Sequence, residues 1–120
     1  MAYDPNNIFA KILRAEIPCK KVYEDDHVLA FHDVQPQAPV HILVIPKGAY
    51  KDMDDFTAKA SAEEIAALFK ALGQIARDNG LADGGYRVIS NCGADGGQEV
   101  PHLHLHLVGG QPLGRMLAAA

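Results

Sequence analysis

The chain has 120 residues, of which 48% are hydrophobic and 22% are charged, and its formal net charge at pH 7 is −4. The composition is ordinary for a globular protein, and we expect one domain over residues 1–120. The acidic balance argues against non-specific binding to nucleic acid or to an anionic membrane. No apolar run approaches the roughly 20 residues that span a bilayer. Two cysteines without a C-x-x-C motif, and no signal-peptide pattern, favour a soluble cytoplasmic protein.

The first predicted element is a short helix in "DPNNIFAKILR". Asp4 is the expected N-cap, Pro5 takes the first helical position, and Pro18 is expected to end the helix. Its apolar side consists of Ile8, Phe9, Ile12 and Leu13. "CKKVYEDD" and "VLAFHDV" then predict two strands around a turn, and "VHILVIP", bounded by prolines, predicts a more deeply buried third strand.

The longest helix is predicted from about Ser61 to Asn79. "SAEE" supplies a capping box between Ser61 and Glu64, and Gly80 follows at the position of a left-handed C-terminal cap. The predicted apolar stripe consists of Ile65, Leu68, Phe69, Leu72, Ile75 and Ala76. "YRVISN" and "HLHLHLV" predict the fourth and fifth strands. Because the elements do not alternate as β-α-β, the order favours an α+β class with an antiparallel sheet.

The fifth strand contains the most informative pattern, "PHLHLHLVGG". Strict alternation places His102, His104 and His106 on one face of the strand and the leucines in the core. Such a row could bind zinc with His41 or Glu99 as a further ligand, or could perform nucleophilic and acid–base chemistry. Clustered imidazoles disfavour one another's protonation, which keeps one of them neutral and reactive near pH 7. Three histidines in register beside a glycine-rich loop argue against a solvent-exposed row without a role.

Two further stretches offer groups that could bind a phosphorylated ligand. In "NCGADGGQEV", Gly93, Gly96 and Gly97 free the backbone to turn N–H groups toward an anion, although an ordinary glycine-rich loop has the same composition. Asp33 could accept hydrogen bonds from both hydroxyls of a ribose, or could cap the turn at Gln35. Ile8, Phe9 and Ile12 could form one wall of a base pocket, or could simply pack the helix on the sheet.

These stretches together resemble the histidine triad (HIT) family, whose signature alternates three histidines with apolar residues and is met by "HLHLHLV". "IFAKILRAEIP", "EDDHVLAFHDVQPQAPVHILVIPK", "GYRVISN" and "DGGQEVPHLHLHLVGG" are similar to the histidine triad nucleotide-binding (Hint) branch, and "PLGRML" is similar to the tails of bacterial members. The resemblance covers nearly the whole chain.

The resemblance implies an α+β HIT fold: a five-stranded antiparallel sheet with one long and one short helix, joined in a homodimer as a ten-stranded sheet, and a C-terminal tail at about residues 109–120. It implies a purine nucleoside phosphoramidase that hydrolyses AMP–amine and AMP–lysine bonds through a nucleotidyl-histidine intermediate and releases AMP. The implied ligand is AMP, with GMP as the alternative purine nucleotide, together with their phosphoramidates. No metal or other cofactor is implied.

Carried over by position, the resemblance makes His104 the nucleophile and places His106 at the phosphoryl oxygens, while His102 and His41 orient the cluster. Asp33 would hold the ribose hydroxyls. The residues implied around the base are Ile8, Phe9, Ile12, His32 and Val34, and those implied along the phosphate are Asn91, Gly97, Gln98, Glu99 and Val100.

The chain departs from many animal members at two positions, with Glu99 in place of a serine and Pro101 in place of a tyrosine. Glu99 could protonate a leaving amine if its pKa were raised, or could attract a cationic leaving group. The tail is a second expected influence on leaving-group selectivity. A non-catalytic module that binds purine nucleotides or a partner is the main alternative function, and a dinucleoside polyphosphate hydrolase is less favoured.

Overall fold

The computed structural model describes residues 2–118. Along the chain, the elements are α1 (Ile8–Leu13), β1 (Lys21–Glu24), β2 (Val28–His32), β3 (Val40–Pro46), α2 (Met53–Lys59), α3 (Ala62–Asp78), β4 (Tyr86–Ser90) and β5 (Leu105–Gly109). The strands form one antiparallel sheet in the order β1-β2-β3-β5-β4, which confirms the α+β class. Of the predicted domain and tail, Met1 and residues 119–120 lie outside the described part.

The main core lies between one face of the sheet and α3. Alternate residues of β2, β3 and β5 point to this face, because successive side chains of a strand point in opposite directions. The leucines of the fifth-strand pattern are among them, as predicted. The buried members of this core are Val28, Ala30, Ile42, Val44, Phe56, Leu68, Ala71, Leu72, Ile75, Ala76, Leu81, Leu103, Leu105 and Leu107.

The caps of α3 are as predicted. Ser61 accepts a hydrogen bond from the Glu64 amide, and the Glu64 carboxylate accepts one from the Ser61 amide, which completes the capping box. Gly80 has a φ of 71° just after the C-cap, Asn79. The apolar stripe is wrong at Phe69, whose side chain is 55% exposed. It follows Leu68 by one residue, or about 100° around the helix, and so turns away from the core.

The start of α1 differs from the prediction. Asn7, not Asp4, is the N-cap, and its side chain accepts a hydrogen bond from the Ala10 amide. Asp4 instead forms a turn before the helix by accepting from the Asn6 amide. The helix also ends before Pro18, because Ala15 adopts a left-handed φ of 61°. This residue and its successor donate to carbonyls of the last turn, which is the Schellman arrangement.

The seven-residue helix α2 is absent from the sequence prediction. Asp52 caps it by accepting from the Asp55 amide, a signal that was present in "KDMDDFTAKA". Phe56 packs into the main core from this helix. The described residues contain no helix long and apolar enough to cross a bilayer.

The pairing of β5 begins at Leu105, three residues later than predicted. Before it, the amide of Leu103 donates to the Tyr50 carbonyl, and the His102 ring contacts the Pro46 carbonyl. By the register of β3 with β5, Leu103 would lie opposite Pro46, which has no amide hydrogen to donate, and the Leu103 amide bonds to Tyr50 instead. The histidine segment consequently lies between the end of the sheet and α1, where a second apolar cluster forms from Phe9, Leu29, Phe31, Leu43 and Ile45.

Candidate active site

An open groove of about 1100 Å³ lies between α1, the loop after β2 and the glycine-rich loop before β5. The site residues predicted from sequence that line it are Ile8, Phe9, Ile12, His32, Asp33, Val34, Asn91, Gly97, Glu99, Val100, His104 and His106. The lining residues that were not predicted are Ile17, Pro18, Cys19, Lys20, Phe31, Pro36, Gln37 and Leu43. Most of these follow α1 or precede a predicted residue, so proximity along the chain was the only available signal.

His104 is held in one tautomer by the backbone. Its Nδ1 lies 2.7 Å from the carbonyl oxygen of His102, and a carbonyl can only accept, so Nδ1 carries the proton. In the neutral ring Nε2 therefore has the free lone pair. The ring packs edge-on against Phe9, with ring centroids 4.9 Å apart, and only 6% of His104 is exposed.

The electrostatic surroundings of His104 act in two directions. Burial lowers the pKa of the ring below its ordinary value, which keeps the imidazole neutral. The His102 carbonyl and the carboxylates of Asp33 and Glu99 act in the opposite sense and favour the protonated ring. A neutral ring surrounded by groups that stabilise a cation is suited to nucleophilic attack, because the imidazole becomes positively charged as it bonds to phosphorus.

A chain of hydrogen bonds from Gln37 through His41 fixes the tautomer of His106. The amide of Gln37 donates to Nδ1 of His41 at 3.1 Å, and an amide can only donate, so the neutral His41 ring carries its proton on Nε2. That Nε2 lies 2.9 Å from Nδ1 of His106 and donates to it. His106 in turn carries its proton on Nε2. Burial lowers the pKa of His106 to about 4, helped by the neighbouring histidines His104 and His41.

The pairing of β3 with β5 explains why His41 and His106 meet. His41 is opposite Val108 and His106 is opposite Leu43, so the two histidines are diagonal neighbours on one face of the sheet. His41 is buried and does not line the groove, which places it behind His106.

His102 is fully buried behind the groove. Its Nε2 donates to the Pro46 carbonyl at 2.9 Å, and Nδ1 lies 2.6 Å from the hydroxyl of Tyr3. Burial lowers the pKa of His102 to about 4, against the smaller opposing effect of the Pro46 carbonyl. Its side chain does not reach the groove, and its backbone carbonyl is what contacts His104.

Asp33 caps a turn and also faces the groove, so its position is compatible with both roles considered from the sequence. One carboxylate oxygen accepts from the Gln35 amide at 2.8 Å, as a turn cap does. The other lies 3.4 Å from Nε2 of His41, and the side chain also lines the groove. Among the described residues, Asp33, His41 and His106 form one group whose ligand atoms all lie within 4.8 Å of one another, the spacing a metal ion would need. His102 and His104 are not part of this group.

The glycine-rich loop uses three of its backbone amides for its own closure. The amides of Gly93, Gly97 and Gln98 donate within the loop, to the Gln98 side chain and to two carbonyls, so they do not converge on the groove. Gln98 does not line the groove either, because its side-chain amide donates to the carbonyls of Lys51 and Val100. These bonds close the loop, and the contact of Gln98 with a phosphate stays a prediction.

A smaller cavity of about 280 Å³ adjoins the groove on the far side of His106. It is lined in part by His41, Arg87 and Leu113, the last from the C-terminal tail. The Arg87 guanidinium donates to the carbonyls of Gly114 and Arg115, which holds the tail beside this cavity. No sequence pattern pointed directly to Arg87.

The profile of the HIT domain family matches residues 14–113, a segment that includes all three histidines of the fifth-strand pattern. The chain belongs to the HIT domain family. Its α+β fold with a five-stranded antiparallel sheet is thus a HIT fold, as the resemblance implied.

Relatives and solved structures agree with this assignment. The HIT domain is 66% identical over 115 residues to an uncharacterised HIT-like protein of Azospirillum brasilense, covering 96% of this chain and 94% of the relative. It is 48% identical over 111 residues to the purine nucleoside phosphoramidase of Escherichia coli K12, covering 92% of each. A HIT family hydrolase from Clostridium thermocellum superimposes with a TM-score of 0.86 at 42% identity, over 93% of this chain and 97% of that one.

Proposed function

We propose that this protein is a metal-independent purine nucleoside phosphoramidase that hydrolyses adenosine 5′-phosphoramidates and releases AMP. The observation that carries the proposal is the fixed tautomer of His104, whose Nδ1–H is bound to the His102 carbonyl so that Nε2 is free to attack. The similarity to the phosphoramidase of Escherichia coli supports the substrate class.

The reaction proceeds in two displacements at phosphorus. In the first, the lone pair of His104 Nε2 forms a bond to the α-phosphorus, the P–N bond to the amine breaks, and the amine takes up a proton from solvent as it leaves. The His104 ring is now cationic, and the His102 carbonyl stabilises it through Nδ1–H. In the second, a water oxygen bonds to phosphorus and returns a proton to solvent, the bond to Nε2 breaks, and AMP is released with His104 restored. Splitting the hydrolysis in this way replaces one difficult step by two easier ones.

His106 supplies the hydrogen-bond donor on the other side of the phosphorus. Its Nε2–H is fixed by the line from Gln37 through His41, and a donor fixed in advance stabilises developing charge without reorganisation. Glu99 is exposed on the groove lining, where its carboxylate is placed to meet a cationic leaving group such as the side chain of lysine.

The nucleoside half of the substrate is assigned to the apolar end of the groove. Ile8, Phe9 and Ile12 from α1 provide one wall for the base, and His32 and Val34 provide the opposite side. Asp33 retains acceptor capacity after capping Gln35, so it can bind the ribose hydroxyls. These residues contain no donor set that separates adenine from guanine, in keeping with a purine substrate of either kind.

The proposal includes the homodimer with a ten-stranded sheet. β4 is an edge strand of the sheet, and Tyr86 and Val88 on it are 43% and 42% exposed. Phe69 of α3 is a further exposed apolar side chain. An exposed edge with apolar side chains favours pairing with a second edge. The cytoplasmic location also stays a prediction, which the two free cysteines support.

The test is release of AMP from an adenosine 5′-phosphoramidate by the untagged protein in excess chelator. We expect turnover that is insensitive to the chelator and a covalent nucleotidyl-protein intermediate trapped by acid quench. His104→Ala should retain the fold, measured by circular dichroism, and lose turnover by orders of magnitude. Tight AMP binding without turnover in the wild type would instead identify a nucleotide-binding module, and loss of activity to the chelator would contradict metal independence.

A further inference from the structure

We propose that Tyr3 is a positioning residue for the nucleophile: its hydroxyl donates to the buried ring of His102 and thereby holds the backbone carbonyl that fixes His104. This inference rests on the proposed function for its effect on rate, but its structural content can be measured without any substrate. It adds to the histidine cluster a residue that lies 99 positions away from His102 along the chain.

The direction of the hydrogen bond follows from the other side of the ring. Pro46 offers only a carbonyl oxygen, so Nε2 of His102 must carry the proton that is donated to it at 2.9 Å. In the neutral ring Nδ1 is then an acceptor. The Tyr3 hydroxyl, 2.6 Å away, is its donor. His102 is fully buried, so this acceptor has no access to water in place of Tyr3.

The segment that carries Tyr3 is itself fastened to α1. The Asp4 carbonyl accepts from both the amide and the side chain of Asn7, the buried N-cap of the helix. Two residues after Asn7, Phe9 packs edge-on against His102 and His104, with ring centroids 6.4 and 4.9 Å away. Tyr3 meets the His102 ring at 5.6 Å in the same edge-on manner. The segment from Tyr3 to Phe9 therefore covers both histidines as a unit.

The route from Tyr3 to the chemistry is short. His102 is held at its ring by Tyr3 and Pro46, and its own carbonyl oxygen accepts from Nδ1–H of His104 at 2.7 Å. Removal of the hydroxyl leaves a buried acceptor without a donor, and a buried unsatisfied group tends to move toward a new partner. Any rotation of His102 about its backbone also moves this carbonyl. The expected consequence is a nucleophile that still binds substrate but is less often in its reactive tautomer and orientation.

The experiment compares wild-type protein with Tyr3→Phe, which removes only the hydroxyl. The matched control is Tyr23→Phe in β1, outside the site. It removes another partly buried hydroxyl, which donates to the Asp25 carboxylate at 2.6 Å. Histidine side-chain nitrogen NMR should show the Tyr3 hydroxyl proton next to His102 Nδ1 in the wild type. In Tyr3→Phe the His102 Nδ1 resonance should move toward that of a free acceptor, and the His104 Nδ1–H should exchange faster with water.

Kinetics supply the second readout. We expect kcat for an adenosine phosphoramidate to fall about tenfold in Tyr3→Phe, the rate equivalent of one hydrogen bond, with KM within about twofold of wild type. Tyr23→Phe should change neither. An unchanged His102 Nδ1 resonance, or an equal loss of kcat in Tyr23→Phe, would overturn the inference. If the wild type released no AMP, the proposed function would fail, and the NMR comparison would still decide whether Tyr3 positions His102.

Discussion

Lowering the pH from 7 to 4 should destabilise this protein through His102. The ordinary pKa of histidine is 6.5, and burial lowers that of His102 to about 4 in the folded protein. Between these values the unfolded chain binds a proton that the folded protein excludes. The contribution of His102 to the free energy of unfolding is therefore complete above pH 6.5. It declines as the pH falls through 6.5 and stops declining near pH 4.

The size of this loss follows from the interval between the pKa of His102 in the unfolded and folded protein. It spans about 2.5 pH units at about 1.36 kcal/mol each, so the buried imidazole costs about 3 kcal/mol of stability by pH 4. His102→Asn removes the titrating group, and the difference in unfolding free energy between wild type and variant should narrow by about this amount from pH 7 to pH 4. His106 and the carboxylates titrate in both proteins, so their effects cancel in the difference.

The assay is urea unfolding at a series of pH values, followed by circular dichroism. Ile42→Val is the control: Ile42 is fully buried beside the same sheet, and its truncation costs about 1 kcal/mol without removing a proton site. Its stability should run parallel to wild type across the pH range. A constant difference between wild type and His102→Asn would refute the reasoning, because it would mean that His102 is not held neutral by burial.

Four further outcomes test other parts of the site. The acid limb of kcat/KM should have its midpoint below pH 6.5, because burial lowers the pKa of His104; a pH–rate profile with a midpoint at or above 6.5 would contradict this. Asp33→Asn should weaken AMP binding about tenfold in calorimetry and leave binding of 2′,3′-dideoxy-AMP nearly unchanged, since only the former presents ribose hydroxyls. Glu99→Ser should lower rates with cationic amines more than with neutral ones, and equal changes would remove Glu99 from leaving-group selection. Val88→Lys places a charge on the edge strand β4 and should give a monomer in light scattering, whereas a retained dimer would place the interface elsewhere.

The strands and the long helix were predictable because short-range patterns specify them. The bounds of β3 match the proline-bounded run, and the capping box of α3 is the one read from "SAEE". Elements whose ends depend on backbone hydrogen bonds were placed less well. The start of α1 moved from Asp4 to Asn7 because both residue types favour caps, and only the geometry of the turn distinguishes them.

In the candidate site, the sequence predicted which face the histidines occupy but not what each nitrogen does. The face follows from the period of two. The tautomers of His102 and His106 depend instead on partners remote in the chain. Pro46 and Tyr3 contact the His102 ring, and His41 contacts the His106 ring. For the glycine-rich loop the composition suggested free amides, whereas the fold uses those of Gly93, Gly97 and Gln98 within the loop, which no short-range pattern indicates.

The stability and the reactivity of the histidine cluster have one physical cause. Desolvation lowers the pKa of His102, His104 and His106, and this is the largest influence on each of them. The same desolvation keeps His104 neutral, so its Nε2 lone pair is available at neutral pH, and it makes any misplaced proton or unpaired nitrogen costly. Fixed partners such as the His102 carbonyl offset that cost only in one tautomer. A protein that buries an imidazole in this way holds the ring in one orientation, and we expect acid sensitivity as the direct consequence.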